Sequence, residues 1–166
     1  HFHGRHALER LSQRSLLING IQEIASTRGT SSHQHNPSFI LCSPDCTENS
    51  GECIGSFFVY SGSFQAQAER DELGQIRAVM GIHPELFSWN LKPGDIFETP
   101  EAVLTYSKNG FSKLSYNFHK VIREHICRGK YKLAERPVLI NNWEATYFDF
   151  NSDKILEIAK ESAELG

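Results

Sequence analysis

Between residues 16 and 106 the apolar positions come in short runs separated by turn formers, the punctuation of an all-β region. One run covers residues 38–42 and another residues 57–60. From residue 63 to 69 the alternation is strict, with Phe64, Ala66 and Ala68 against Gln65, Gln67 and Glu69. Successive side chains of a strand point to opposite faces, so this segment predicts a strand with one buried face. Glu72-Leu73-Gly74-Gln75 predicts a hairpin connection to a partner strand at residues 76–82. Pro93 and Gly94 stand where a type II turn places proline and glycine. Strands at residues 96–98 and 102–106 complete the set, and several short strands joined by such turns predict a sandwich.

The period changes after Lys108-Asn109-Gly110. Leu114, Phe118, Val121, Ile122 and Ile126 fall at helical spacing, with Ser112 or Ser115 as candidate N-cap and Arg128-Gly129-Lys130 as the stop. A charged connector reaches Arg136. Pro137 then introduces Val138-Leu139-Ile140, a continuous apolar run of the kind that forms a strand buried on both faces of a parallel sheet. A second helix begins at Ser152, with Ile155, Leu156, Ile158, Ala159 and Ala163 inward and Gly166 as C-cap. Residues 138–166 thus predict one β-α unit. A lone parallel strand makes no sheet, so its partners are expected beyond residue 166.

Length and charge limit what such a chain can be. At 166 residues it holds one domain and a remainder, and it is too short for a complete TIM barrel of about 250 residues. Lys and Arg total 17 against 20 Asp and Glu, so no basic nucleic-acid footprint is expected. No run approaches the ~18–20 apolar residues of a membrane-spanning helix, so no membrane partner is expected. The chain opens at His1 without an apolar leader and reads as an excised segment. Asn36 is blocked by Pro37 as a glycosylation acceptor, and Asn49, Asn109, Asn117 and Asn151 lack the required third residue. That leans away from a glycosylated secreted protein and toward the cytoplasm. There is no internal repeat or low-complexity tract.

Three clusters offer chemistry. Cys42, Cys46 and Cys53 have a Cys-x3-Cys-x6-Cys spacing that can supply zinc ligands, against the plainer reading of a loop disulfide or free thiols. His33 and His35, two apart, would point the same way on a strand and could share a metal, or could simply fix a loop before Asn36-Pro37. No Gly-x-Ser-x-Gly elbow or phosphate-binding glycine loop is present. Asn141-Asn142-Trp143-Glu144-Ala145-Thr146-Tyr147-Phe148-Asp149-Phe150 carries the strongest signal because it directly follows the buried strand. In a β/α barrel the strand ends and βα loops build the active site. Trp and Tyr faces suit the C–H face of a pyranose and amides suit its hydroxyls. The same aromatic residues could equally pack a joint between two layers. Glu144 and Asp149 are candidate carboxylates for glycoside hydrolysis.

Residues 29–37 (Gly29 to Pro37), residues 58–64 (Phe58 to Phe64), Pro93-Gly94-Asp95 with Thr99-Pro100-Glu101, and residues 136–150 (Arg136 to Phe150) together resemble family 36 glycoside hydrolases, in particular the α-galactosidases of bacterial and fungal type. The resemblance runs in order over nearly the whole chain, with only residues 42–53 divergent. It implies a mainly β fold: part of an antiparallel β-sandwich (a supersandwich) over residues 1–110, a linker helix and connector over 111–135, and a truncated (β/α)8 TIM barrel starting at 136–166. It implies retaining hydrolysis of terminal α-galactosides such as melibiose and raffinose by an aspartate nucleophile and an aspartate acid/base. Neither catalytic position falls within these residues, so Glu144 and Asp149 are withdrawn as acid and base and the segment alone is expected to be inactive. Trp143, and after it Tyr147, are implied to contact the galactose. His33 and His35 match a motif with an implied structural role. No metal or organic cofactor is implied, and relatives are often tetramers. A freestanding β-sandwich that binds carbohydrate is the alternative, but such a module has no use for a barrel's first β-α unit.

Overall fold

The computed structural model describes residues 1–85 and 87–166. It divides into two compact units, His1–Ile122 and Arg123–Gly166, each taken by itself below.

Among the described residues the first unit holds eight strands. β1 (Phe2–Arg5) and β2 (Leu8–Ser12) form a two-stranded hairpin. β3 (Gly20–Ser26), β6 (Phe64–Arg70) and β7 (Ile76–Ile82) form an antiparallel sheet in the order β3-β6-β7. β4 (Ser38–Cys42), β5 (Cys53–Phe58) and β8 (Ala102–Ser107) form a second, in the order β4-β5-β8. The alternation read in residues 63–69 is realised in β6. Phe64 and Ala66 are buried, and Gln65 and Gln67 lie on the other face beside Glu23. Arg70 pairs with Ile76, so the loop over Glu72-Leu73-Gly74-Gln75 closes a hairpin. Asp71 stabilises it by accepting from the Leu73 and Gln75 amides at 3.0 and 2.8 Å.

The two three-stranded sheets enclose a core of Phe58, Phe64 and Ala66, with Ile24, Phe39, Tyr60, Met80 and Ile82 around it. A second core lies on the opposite face of β4-β5-β8, beneath helix α1 (Gly110–Val121). Cys46, Cys53 and Leu114 are buried there with Ile40, Cys42, Phe111 and Phe118. β5 is therefore covered on both faces. Gly55 explains how closely the helix lies. A Cβ built there would meet the Phe118 ring at 2.6 Å and Leu114 at 3.0 Å, so only glycine permits this approach. Asn117 ties the helix to β8 by donating to Thr105 Oγ1 at 3.1 Å.

Several expectations need correction. The run at residues 57–60 belongs to a strand that begins at Cys53 and ends at Phe58. Residues 96–98 pair with no strand, and Ile96 is 87 % exposed, because an apolar run without a neighbouring ladder has nothing to bury against. The turn before it does form: Asp95 N–H donates to Lys92 O at 2.9 Å, with Gly94 at φ 93°. Neither Ser112 nor Ser115 caps α1. The N-cap is Asn109, and loop carbonyls take the first amides: Gly51 O from Gly110, Thr47 O from Phe111 and Glu48 O from Ser112. These replace side-chain capping of the orphan donors. α1 runs on into a π-helical stretch, Ile122–Ile126.

The second unit contains a one-turn helix α2 (Trp143–Thr146) and helix α3 (Ser152–Leu165). Asn151 caps α3 by accepting from Lys154 N–H at 3.0 Å, and Gly166 follows its last turn at φ 107°. Residues 138–140 make no ladder among the described residues. Val138 and Leu139 are 88 % and 84 % exposed, so the buried strand expected here is not formed among the described residues, where nothing pairs with it.

Candidate functional site

The segment from Asn141 to Phe150 folds around its own short-range hydrogen bonds. Asn141 Oδ1 accepts from the Trp143 amide at 2.9 Å, which sets the start of α2. Asn142 Nδ2 donates to Thr146 Oγ1 at 2.9 Å, and that hydroxyl donates back to Asn142 O at 3.1 Å. The turn is closed at both ends by side chains four positions apart, the spacing that meets on one helix face. Tyr147 N–H donates to Trp143 O at 2.8 Å, and the chain leaves the helix with Tyr147 at φ 47° and ψ −119°. A bulky residue in that conformation is strained, a state that persists only when its surroundings impose it.

This exit swings two rings against Trp143. Tyr147 lies 5.5 Å from the Trp143 ring at 74°, and Phe148 lies 4.9 Å from it at 90°. Both are edge-to-face arrangements, the favoured aromatic geometry. Trp143 is 45 % and Tyr147 55 % exposed, so much of each ring face remains open to a ligand. The Tyr147 hydroxyl donates to Glu144 Oε2 at 3.5 Å.

Beyond the rings, Lys154 Nζ reaches back from α3 to Asp149, donating to its carboxylate at 2.8 Å and its carbonyl at 3.1 Å. The lysine's hydrogen bond, and then its charge, hold the Asp149 carboxyl below the usual carboxylate range. Tyr147, Asp149 and Lys154 line an open depression of about 420 Å³ with Glu157 and Ile158, and Trp143 stands outside it.

The other sequence candidates lie in the first unit. His33 and Gln34 form a turn between Ser32 and His35, which bridge each other, so the two imidazoles are not on a strand and the argument for their convergence lapses. His35 also bridges His3. Burial, then the Arg28 charge, push its pKa down. The four cysteines are free. Three of them meet beneath α1, and burial, then Cys46, push the Cys53 thiol up to about 11. Among the described residues no cluster of His, Cys, Asp and Glu has the arrangement of a metal site. Sequence reasoning did not single out Asn141, Asn142, Thr146 or Lys154 as positioning groups. The Asn-Asn pair ahead of a helical turn and a threonine four residues on were the available signal.

Residues 1–92 match the glycosyl hydrolase family 36 N-terminal domain and residues 96–166 match the Melibiase family. The chain belongs to glycosyl hydrolase family 36. It is 50 % identical over 165 residues to the bifunctional alpha-galactosidase/sucrose kinase AgaSK of Mediterraneibacter gnavus, covering 99 % of this chain and 18 % of that protein. It is 48 % identical to alpha-galactosidase AgaA of Geobacillus stearothermophilus, covering all of this chain and 23 % of that one. The structure of an AgaA variant in complex with raffinose superposes with a TM-score of 0.94, and the galactosidase domain of AgaSK with 0.91. The chain thus spans about a fifth of the length of these relatives.

Proposed function

We propose that the full-length protein is a retaining α-galactosidase that removes terminal non-reducing α-galactose from oligosaccharides such as melibiose and raffinose. The observation that carries this is the ordered match of the glycosyl hydrolase family 36 N-terminal and Melibiase models along the chain, at 48–50 % identity to α-galactosidases over essentially all of it. In this reading residues 1–110 are part of the sandwich domain, 111–135 a linker, and 136–166 the opening of the catalytic barrel. The match over residues 96–166 speaks against a freestanding carbohydrate-binding sandwich. The nucleophile and the acid/base, both aspartates, lie outside these 166 residues. A retaining enzyme holds such carboxyls about 5–5.5 Å apart, one forming and later releasing the glycosyl-enzyme bond.

Trp143 and Tyr147 then serve as two walls of the galactose site. The exposed indole face takes the sugar's C–H surface by dispersion and exclusion of water, and the Tyr147 hydroxyl offers hydrogen bonding at its edge. The double side-chain closure of α2 keeps these rings from paying conformational entropy on binding. The enzyme is a homo-oligomer, a tetramer by analogy with its family.

Kinetics of the full-length enzyme on a nitrophenyl α-galactoside test the reading. Turnover is expected, with none from the 166-residue segment. Trp143→Ala is expected to cut kcat/KM by one to two powers of ten, the equivalent of about 1.4–2.7 kcal/mol, at unchanged melting temperature. A full-length protein inert on every α-galactoside overturns the activity. Unchanged kinetics in Trp143→Ala refute its place in the pocket.

A further inference from the structure

The three cysteines beneath α1 form a cluster that the proposed hydrolysis does not use. Cys42 and Cys53 are directly opposite partners in the β4/β5 ladder. The next pair out, Ser43 and Glu52, is hydrogen-bonded, with Ser43 N–H donating to Glu52 O at 3.0 Å. Alternation along an antiparallel ladder makes Cys42–Cys53 a non-hydrogen-bonded pair, in which Cα atoms are about 4.5 Å apart and side chains lie closest. That spacing falls at the short end of the ~4.4–6.8 Å range that a disulfide spans. Both side chains face the same core, packed with Leu114 and Phe118. Cys46 enters from the connecting loop into the same core, its thiol donating to Thr47 O at 3.7 Å. It is held by Cys46 N–H donating to Ser43 O and Arg14 donating to Cys46 O, at 3.1 and 3.0 Å. Cys46 and Cys53 are each only 2 % exposed, whereas Cys42 is half-buried and reachable.

We infer that Cys42 and Cys53 are an oxidative modification site, closed to a cross-strand disulfide by hydrogen peroxide. The Cys42 thiolate attacks one peroxide oxygen, the O–O bond breaks, and the departing oxygen takes up a proton and leaves as water. This leaves a sulfenic acid on Cys42. The Cys53 thiol loses its proton and attacks that sulfur, the S–O bond breaks, and the hydroxide takes up the proton and leaves as a second water. The two thiols lose two electrons and two protons, and the peroxide gains them. The bond encloses residues 43–52, whose Thr47, Glu48 and Gly51 carbonyls cap α1, so oxidation fastens the loop that anchors this helix.

The full-length protein treated with a small molar excess of hydrogen peroxide, alkylated and digested without reductant provides the test. Cleavage beside Asp45, Glu48 and Glu52 separates the three cysteines, and mass spectrometry then identifies the linked pair. A Cys42–Cys53 cross-link that dithiothreitol reverses is expected, with a melting temperature raised by a few degrees, as closing a short loop does. Cys46→Ala is expected to keep the cross-link and Cys42→Ser to lose it. Should Cys42→Ser fail to fold, the mapping in the unaltered protein still decides. A Cys46–Cys53 link, sulfinic acid on Cys42 without a link, or three fully alkylated thiols each overturn the inference.

Discussion

The two units hold their shapes by different means. In residues 1–122 two cores are sealed, and Phe64 and Leu114 have no exposed surface at all. In residues 123–166 no described side chain is fully buried; Ile155 and Leu156 on α3 lie open, as do Phe148 and Phe150 after α2. What orders this second unit is a set of local hydrogen bonds from Asn141, Asn142, Asn151 and Lys154. Burial supplies the large favourable term in folding, whereas a net hydrogen bond contributes only about 1 kcal/mol. Within these 166 residues the first unit is held chiefly by burial and the second by local hydrogen bonds. The candidate sugar site stands on the second.

Substitutions in the cores should break this contrast most sharply if it is mistaken. Phe64→Ala removes a fully buried ring from between the sheets and is expected to cost about 3–5 kcal/mol, with Leu114→Ala close behind at about 2–5 kcal/mol. Denaturant unfolding of the full-length protein reads both. Losses below 1 kcal/mol would show that these cores are not what holds the first unit. Gly55→Val tests the same core by overfilling. Its added carbons must displace Phe118 or Leu114, at a cost of about 1–3 kcal/mol in the same unfolding experiment.

Asn141→Ala addresses the second unit, and its readout should differ in kind. It frees the Trp143 amide at the start of α2. Loss of such a side-chain-to-backbone hydrogen bond costs about 1 kcal/mol, here spent locally on the placement of the indole. About a fivefold loss in kcat/KM on an α-galactoside is expected, with the melting temperature nearly unmoved. A melting temperature that falls as it does for Leu114→Ala would assign Asn141 to the fold rather than to the site.

Legibility in the sequence follows the same division. β6 and β7 were readable because a half-buried strand alternates and its hairpin turn is marked by glycine, and β4 was readable as a short apolar run. The start of β5 was not. Cys53, Ile54, Gly55 and Ser56 mix small and large residues because one face takes a helix and the other a sheet, so no period of two survives. β2 is exposed throughout and β1 is only half-buried, so neither left an apolar signal. Residues 96–98 show the converse, an apolar run that pairs with nothing. At the candidate site, residue types and position after an apolar run were visible for Trp143 and Tyr147. Their edge-to-face setting was not, because it depends on a positive φ at Tyr147 that no sequence rule assigns to tyrosine.

The smallest predicted effect separates the two units by the electrostatics of one carboxylate in each. Glu23 on β3 is held below the usual carboxylate range by side-chain hydrogen bonds, first from Gln67 and then from Gln65. Asp149 is held low by Lys154, through a hydrogen bond and then through its charge. For either group the folded pKa lies below the unfolded one. The stabilisation is therefore complete above the ordinary carboxylate pKa and disappears as pH falls through the depressed value. Neutral amide donors are indifferent to ionic strength, whereas an exposed ion pair is screened over a Debye length of only ~3 Å at 1 M salt. Carboxyl titration by NMR at low salt and at about 1 M salt should move the Asp149 pKa upward and leave that of Glu23 nearly in place. Equal movement of both would mean that long-range charge, rather than the two amides, sets Glu23. No movement of Asp149 would mean that the Lys154 contact acts through hydrogen-bond geometry alone.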